Sequence, residues 1–187
     1  MLASVLITAR RRTARAAAFR LIAAAACFFA TRGAAAAAEP PSPALIPVAE
    51  QGSPGLYAFT CPNGLPGVVD SRPGTRTVFL EIGVRAGSRD EPEGLAGMAH
   101  LLEHLYFKEG HGAGEGAGNR SNPAFSGLRA AGAEINASTD FEQTEYHADL
   151  PADRFDEGWR ALASLVGATG FDAADVERER GVVLQEV

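Results

Sequence analysis

"RTVFLEIGVRAG" occupies residues 76–87. Val78, Leu80, Ile82 and Val84 alternate there with Thr77, Phe79, Glu81 and Gly83. That period of two is what a half-buried strand requires. The next ordered pattern has a different period. In "MAHLLEHLYF" (98–107), Met98, Leu101, Leu102 and Leu105 fall at helical spacing and form one apolar stripe. Upstream, "LYAFTC" (56–61) and "GVVDS" (67–71) read as strands around a turn at Pro62-Asn63-Gly64. Downstream, "PAFSGLRAAG" (123–132) reads as a short helix, and "AEINAST" (133–139) and "FEQTEYHADL" (141–150) as strands around Asp140. "PADRFDEGWRALASLVGATG" (151–170) predicts a helix with Phe155, Trp159, Leu162 and Val166 on one face. "FDAADVERERGVVLQEV" (171–187) predicts another, with Asp172 as N-cap and Asp175 in the first turn, where a carboxylate suits the helix dipole. Strands interleaved with helices imply an α+β fold, helices packed on a mainly antiparallel sheet.

The chain has 187 residues and 46% hydrophobic residues, enough for one domain with a real core. Residues 1–38 stand apart: six arginines, no acid, and the apolar run "LIAAAACFFA" at 21–30. A basic start, a compact apolar run and an alanine-rich end predict a signal peptide cut after Ala38, and hence an exported protein, periplasmic or secreted. A mitochondrial transit peptide and an uncleaved anchor are the alternatives. The run is too short to span a bilayer. Residues 39–55, rich in proline and polar side chains, read as a linker, and 56–187 as the folded portion.

Without the leader's arginines, eleven basic residues face 23 acidic ones, a net charge of −12. Such a surface repels phosphate backbones, so nucleic acid is not an expected partner. Cys61 is the only cysteine outside the leader, which excludes an internal disulfide and a cysteine-rich metal site. "GHGAGEGAGNRSN" (110–122) lacks the lysine and spacing of a phosphate cradle and reads as a flexible insertion, with His111 a solvated loop residue.

Chemistry is concentrated at His100, Glu103 and His104. Side chains four apart on a helix share a face, with Cβ atoms about 5–6 Å apart. Two imidazoles there can reach one zinc ion, whose Zn–N distance is about 2.0–2.1 Å. Glu103 can face the open metal position without being a ligand and take a proton from water. A merely amphipathic helix with polar outer residues would show some of this, but H-x-x-E-H in a chain of four histidines is an uncommon coincidence. A third ligand is needed. Cys61 is one candidate. The last helix offers Glu179 and Glu186, seven apart and so on one face, although "ERER" (177–180) also reads as solvated surface.

"GSRDEPEGLAGMAHLLEHLYFKEG", "GAEINASTDFEQTEYHADLP" and "VERERGVVLQEV" together resemble the pitrilysin family, which includes insulin-degrading enzyme and the mitochondrial processing peptidases. The likeness runs from about Leu56 to the end of the chain. It implies that His100, His104 and Glu186 bind Zn2+, that Glu103 is the general base of a zinc-dependent endopeptidase, and that Glu179 supports the site without binding metal. It places Asn136 and Ala137 on a substrate-binding edge strand, where a peptide is held as an added strand. His147 is expected to be structural. The resemblance also implies an incomplete N-terminal catalytic domain, with a second related domain or subunit enclosing the substrate, and hence no turnover from residues 39–187 alone. Other readings are a non-catalytic, substrate-holding homologue, an enzyme like the metal-dependent S-ribosylhomocysteine lyase, and a plain secreted binding domain.

Overall fold

The computed structural model of the protein describes residues 3–9, 46–47, 55–61, 64–72, 74–107, 123–166 and 171–186. Seven strands form one sheet among them: β1 (Ala3–Ala9), β2 (Ile46–Pro47), β3 (Leu56–Thr60), β4 (Pro66–Asp70), β5 (Thr77–Val84), β6 (Glu134–Thr139) and β7 (Thr144–Pro151). Their order is β2-β3-β4-β1-β5-β7-β6. All pairings are antiparallel except β1 with β4. Among the described residues four α-helices accompany the sheet: α1 (Met98–Phe107), α2 (Pro123–Ala130), α3 (Phe155–Val166) and α4 (Ala173–Glu186). The α+β expectation therefore holds, with helices packed on a mainly antiparallel sheet.

The alternation in β5 does what its period requires. Val78, Leu80, Ile82 and Val84 are buried, joined in one core by Tyr146, Ala148 and Leu150 of β7 and by Trp159 and Leu162 of α3. Phe155 and Val166 pack at the margin of that core. Helix ends follow local chemistry. Asp172 caps α4, its Oδ1 accepting the Ala174 N–H at 2.7 Å, and Asp175 lies in the first turn. Gly132 (φ 89°) ends α2: Ala133 N–H reaches Leu128 C=O at 2.9 Å and Gly132 N–H reaches Arg129 C=O at 2.9 Å. That double closure requires a left-handed residue, which glycine supplies without strain.

Three expectations need amendment. Met98 is exposed and Leu101 and Leu102 are half-buried, so only Leu105 of the α1 stripe enters the core. α1 packs against α4, whose buried residues are Glu179 and Val183. The linker at 39–55 contains β2, with Ile46 opposite Ala58 and Pro47 opposite Tyr57 of β3. Part of the expected leader is β1: Leu6 lies opposite Val68 of β4 and opposite Glu81 of β5. Val5 and Ile7 are β-branched, and such residues fit a pleated surface as readily as an apolar helix. The rest of the leader, most of the linker, the turn residues Pro62 and Asn63, and the glycine-rich insertion with His111 lie outside the described residues. Among the described residues no helix is long and apolar enough to cross a membrane.

Candidate metal centre

The centre lies where α1 packs on α4, next to the end of β6. The loop before α1 fixes the start of that helix. Glu91 accepts the Gly97 N–H at 2.9 Å through Oε2 and the Ala99 N–H at 2.8 Å through Oε1. A carboxylate there satisfies two otherwise open donors and opposes the positive end of the helix dipole. Gly87 anchors the same loop on the β6–β7 turn, with Ser88 N–H bonded to Asp140 C=O at 3.0 Å. A Cβ at Gly87 would stand 2.5 Å from that oxygen, so only glycine permits the approach.

His100 and His104 project from successive turns of α1, their Nε2 atoms 3.2 Å apart. Glu186 Oε2, at the end of α4, lies 3.6 Å from His100 Nε2 and 3.5 Å from His104 Nε2. Among the described residues these three form the group able to hold a metal ion. Ligands about 2.0–2.1 Å from a tetrahedral zinc stand roughly 3.3–3.4 Å from one another. The observed spacings fit that donor set. The other nitrogen of the His104 ring meets Glu179, with Nδ1 3.4 Å from Oε2. A carboxylate behind a ligating imidazole fixes its tautomer and orientation. Glu179 is fully buried, so the charged stretch around it is not uniformly solvated surface. Val183, also buried, lies between the two glutamates on α4.

Glu103 does not join the three donors. Its Oε2 accepts the Thr139 hydroxyl at 2.5 Å. It borders a cleft of about 460 Å³ lined also by Ser88, Gly97, His100, Ser138 and Phe141. β6, at the sheet edge, forms one wall of this region. Asp140 N–H bonds Gln143 C=O at 2.9 Å, closing the hairpin. Alternation along the antiparallel ladder then turns the main-chain groups of Ile135, Ala137 and Thr139 away from β7. Asn136 Oδ1 takes the Ala137 N–H at 3.0 Å. Asn136 and His147 instead line a separate hollow of about 470 Å³ with Phe79, on which His147 stacks at 5.5 Å. His147 is thus apart from the metal centre, and so is Cys61, buried in the core. Sequence reasoning missed Glu91 and Thr139. For Glu91 the available signal was a carboxylate shortly ahead of the helix; for Thr139 there was none, since its partner is distant in sequence.

Residues 68–187 match the family described as Insulinase (Peptidase family M16). The chain is 38% identical over 134 residues to the "Probable mitochondrial-processing peptidase subunit beta" of Schizosaccharomyces pombe, covering 71% of this chain and 28% of that protein. It is 29% identical over 132 residues to the "Uncharacterized zinc protease YmxG" of Bacillus subtilis, covering 71% and 31%. "The crystal structure of a protease from Helicobacter pylori" superposes with a TM-score of 0.59 at 28% identity, over 70% of this chain and 30% of that one. Pitrilysin superposes with a TM-score of 0.62 at 24% identity, over 77% and 15%, a likeness of fold. The chain thus spans about three tenths of the length of these curated relatives. The family match over residues 68–187, in keeping with the fold and the histidine–glutamate cluster, shows that the chain belongs to the insulinase family of metallopeptidases, peptidase family M16.

Proposed function

We propose that the protein is a zinc-dependent endopeptidase in which His100, His104 and Glu186 hold the metal and Glu103 is the general base. The observation that supports this reading most strongly is the spacing of the three donors, 3.2, 3.5 and 3.6 Å, with Glu103 on the same helix and outside the donor set. A bound zinc ion supplies Lewis acidity toward a carbonyl oxygen and lowers the pKa of water. The chain's own residues do the rest. Glu179 holds the His104 ring through Nδ1, which keeps Nε2 as the ligand atom. Glu103 Oε1, without a hydrogen-bond partner among the described residues, is the oxygen that accepts a water's proton and returns it to the leaving amine.

The peptide is read as an extra strand on β6, bonded by the outward main-chain groups around Ala137. The Asn136 side chain, which covers the Ala137 N–H in this state, swings aside to admit it. The substrate class is peptides or unfolded segments, and a second related domain or subunit encloses them. The arginine-rich, acid-free start is a targeting segment. Relatives named as mitochondrial processing peptidases support the mitochondrial alternative, and export remains the reading of the apolar run. Cleavage after Ala38 would withdraw β1 from the sheet, so N-terminal sequencing of the mature protein tests this part directly. For the chemistry, Glu103→Gln should keep zinc and lose most peptide hydrolysis. A variant that cleaves at the parent rate would overturn the assignment of the base.

A further inference from the structure

The Thr139 hydroxyl is the group that touches the proposed base. Its Oγ1 lies 2.5 Å from Glu103 Oε2, within the range of a charge-assisted O–H···O bond, about 2.5–2.7 Å. Thr139 is the last residue of β6 and lies opposite Thr144, the first of β7. Thr144 is buried, its Oγ1 donates to Ala86 C=O at 3.0 Å, and it stands 3.3 Å from Thr139 Oγ1. A hydroxyl has one proton to give. Thr144 gives its proton to Ala86, so Thr139 has its own free for Glu103. The arrangement is braced from behind, because Gly87, next to Ala86, is seated on the β6–β7 turn. Glu103 would otherwise be a flexible side chain at the edge of an open cleft.

We propose that Thr139 is a positioning residue for hydrolysis. It ties down one oxygen of Glu103, so that the other is presented to the water beside His100. The bond crosses from the edge strand to α1, so it also couples the strand that receives the peptide to the group that does the proton transfer. This inference rests on Glu103 being the base. It predicts a loss in turnover rather than in substrate or metal binding, because misplacing a reacting group by about 1 Å costs up to roughly a hundredfold.

The test compares Thr139→Val, Thr139→Ala and Thr139→Ser in the full-length protein, with zinc content and unfolding temperature measured alongside peptide hydrolysis. Thr139→Val and Thr139→Ala should lower kcat about 10- to 100-fold with KM and zinc content near the parent values. Thr139→Ser should recover most of the rate, since it keeps the hydroxyl. Adding Thr139→Val to Glu103→Gln should cause no further loss. A crystal structure of metal-free Thr139→Val should show the Glu103 carboxylate turned from its present position. Parent kcat in both hydroxyl-free variants, or an unmoved Glu103, overturns the proposal. So does an equal further loss in the Glu103→Gln background. If Glu103→Gln itself hydrolyses peptide at the parent rate, the function reading fails instead, and the two failures are distinguishable.

Discussion

His104 Nδ1 faces the wholly buried carboxylate of Glu179 at 3.4 Å, while its Nε2 stands 3.5 Å from Glu186. One ring is therefore gripped from both sides by glutamates two turns apart on α4. The seven-residue spacing matters because it returns to the same helical face. The two carboxylates differ in setting, with Glu186 about half exposed at the helix end.

This difference yields the first prediction. Glu186→Ala removes a ligand and should lower zinc affinity by much more than Glu179→Gln does. Glu179→Gln keeps a hydrogen-bond acceptor, and loss of such an outer partner typically costs about 10- to 100-fold in affinity or activity. Competition titrations with a chelator would measure both. Equal affinity in the parent and Glu186→Ala would sink the third-ligand assignment. Removing the metal with chelator should abolish hydrolysis, and adding zinc back should restore it.

The cap on α1 gives a second prediction. Glu91→Ala leaves the Gly97 and Ala99 donors without their acceptor. Losing a helix N-terminal cap costs about 0.5–2 kcal/mol. Because His100 lies in the first turn, zinc affinity should fall together with stability. Denaturant unfolding with and without zinc would register both. An unchanged midpoint in the metal-free protein would mean that water replaces the carboxylate at no cost.

Periodicity located β5 and α3, where burial follows period directly; it marked α1 as a helix although only Leu105 of its stripe is buried, and α4 was read from its cap. Asp172 acted as the expected cap because capping is local. Spacing on one helix pointed to His100 and His104, while the choice of Glu186 as third ligand came only from the family resemblance, because the meeting of two helices is a tertiary fact that period cannot supply. Thr139 and the burial of Glu179 went unseen for the same reason, whereas Glu91 is a local cap whose signal stood shortly ahead of the helix. β1 was missed because a short aliphatic run at the head of a basic, alanine-rich segment carries no alternation strong enough to mark a strand, and β2 because it is only two residues long in a proline-rich stretch.

Glu81 supplies a pH prediction. Burial first, and the nearby Glu145 charge second, hold its carboxyl above the ordinary value of 4.5. The folded state thus binds this proton more tightly than the unfolded chain does. The stability it contributes is fully present below 4.5 and is lost as pH rises through the folded value. Glu81→Gln should therefore stabilise the protein at neutral pH, and the gain should shrink on acidification toward 4.5. Thermal unfolding across that range would check it. A gain independent of pH would point to packing rather than charge.

Gly87 gives the last prediction. An added Cβ would meet Asp140 O at 2.5 Å, Phe141 C at 2.6 Å and Gln143 N at 2.7 Å, all backbone atoms of one tight turn. None of them is the far end of a flexible side chain, so the turn itself must move. Gly158 makes a useful contrast: its Cβ would meet Leu150 Cδ1 at 2.6 Å, a side-chain tip that can rotate. Forcing a methyl group into packed structure costs about 1–3 kcal/mol. Gly87→Ala should reach the upper part of that range, and Gly158→Ala should fall below it. The two also differ in what they disturb. Gly87 seats the loop that carries Glu91 and lies beside Ala86, the acceptor for Thr144. Gly87→Ala should therefore shift the Thr139–Glu103 pair and lower turnover beyond what lost stability explains. Gly158→Ala, on α3 in the core, should lower stability alone. Measuring kcat well below the unfolding temperature of each variant separates these effects. Parent turnover in folded Gly87→Ala would mean that the turn yields without disturbing the site.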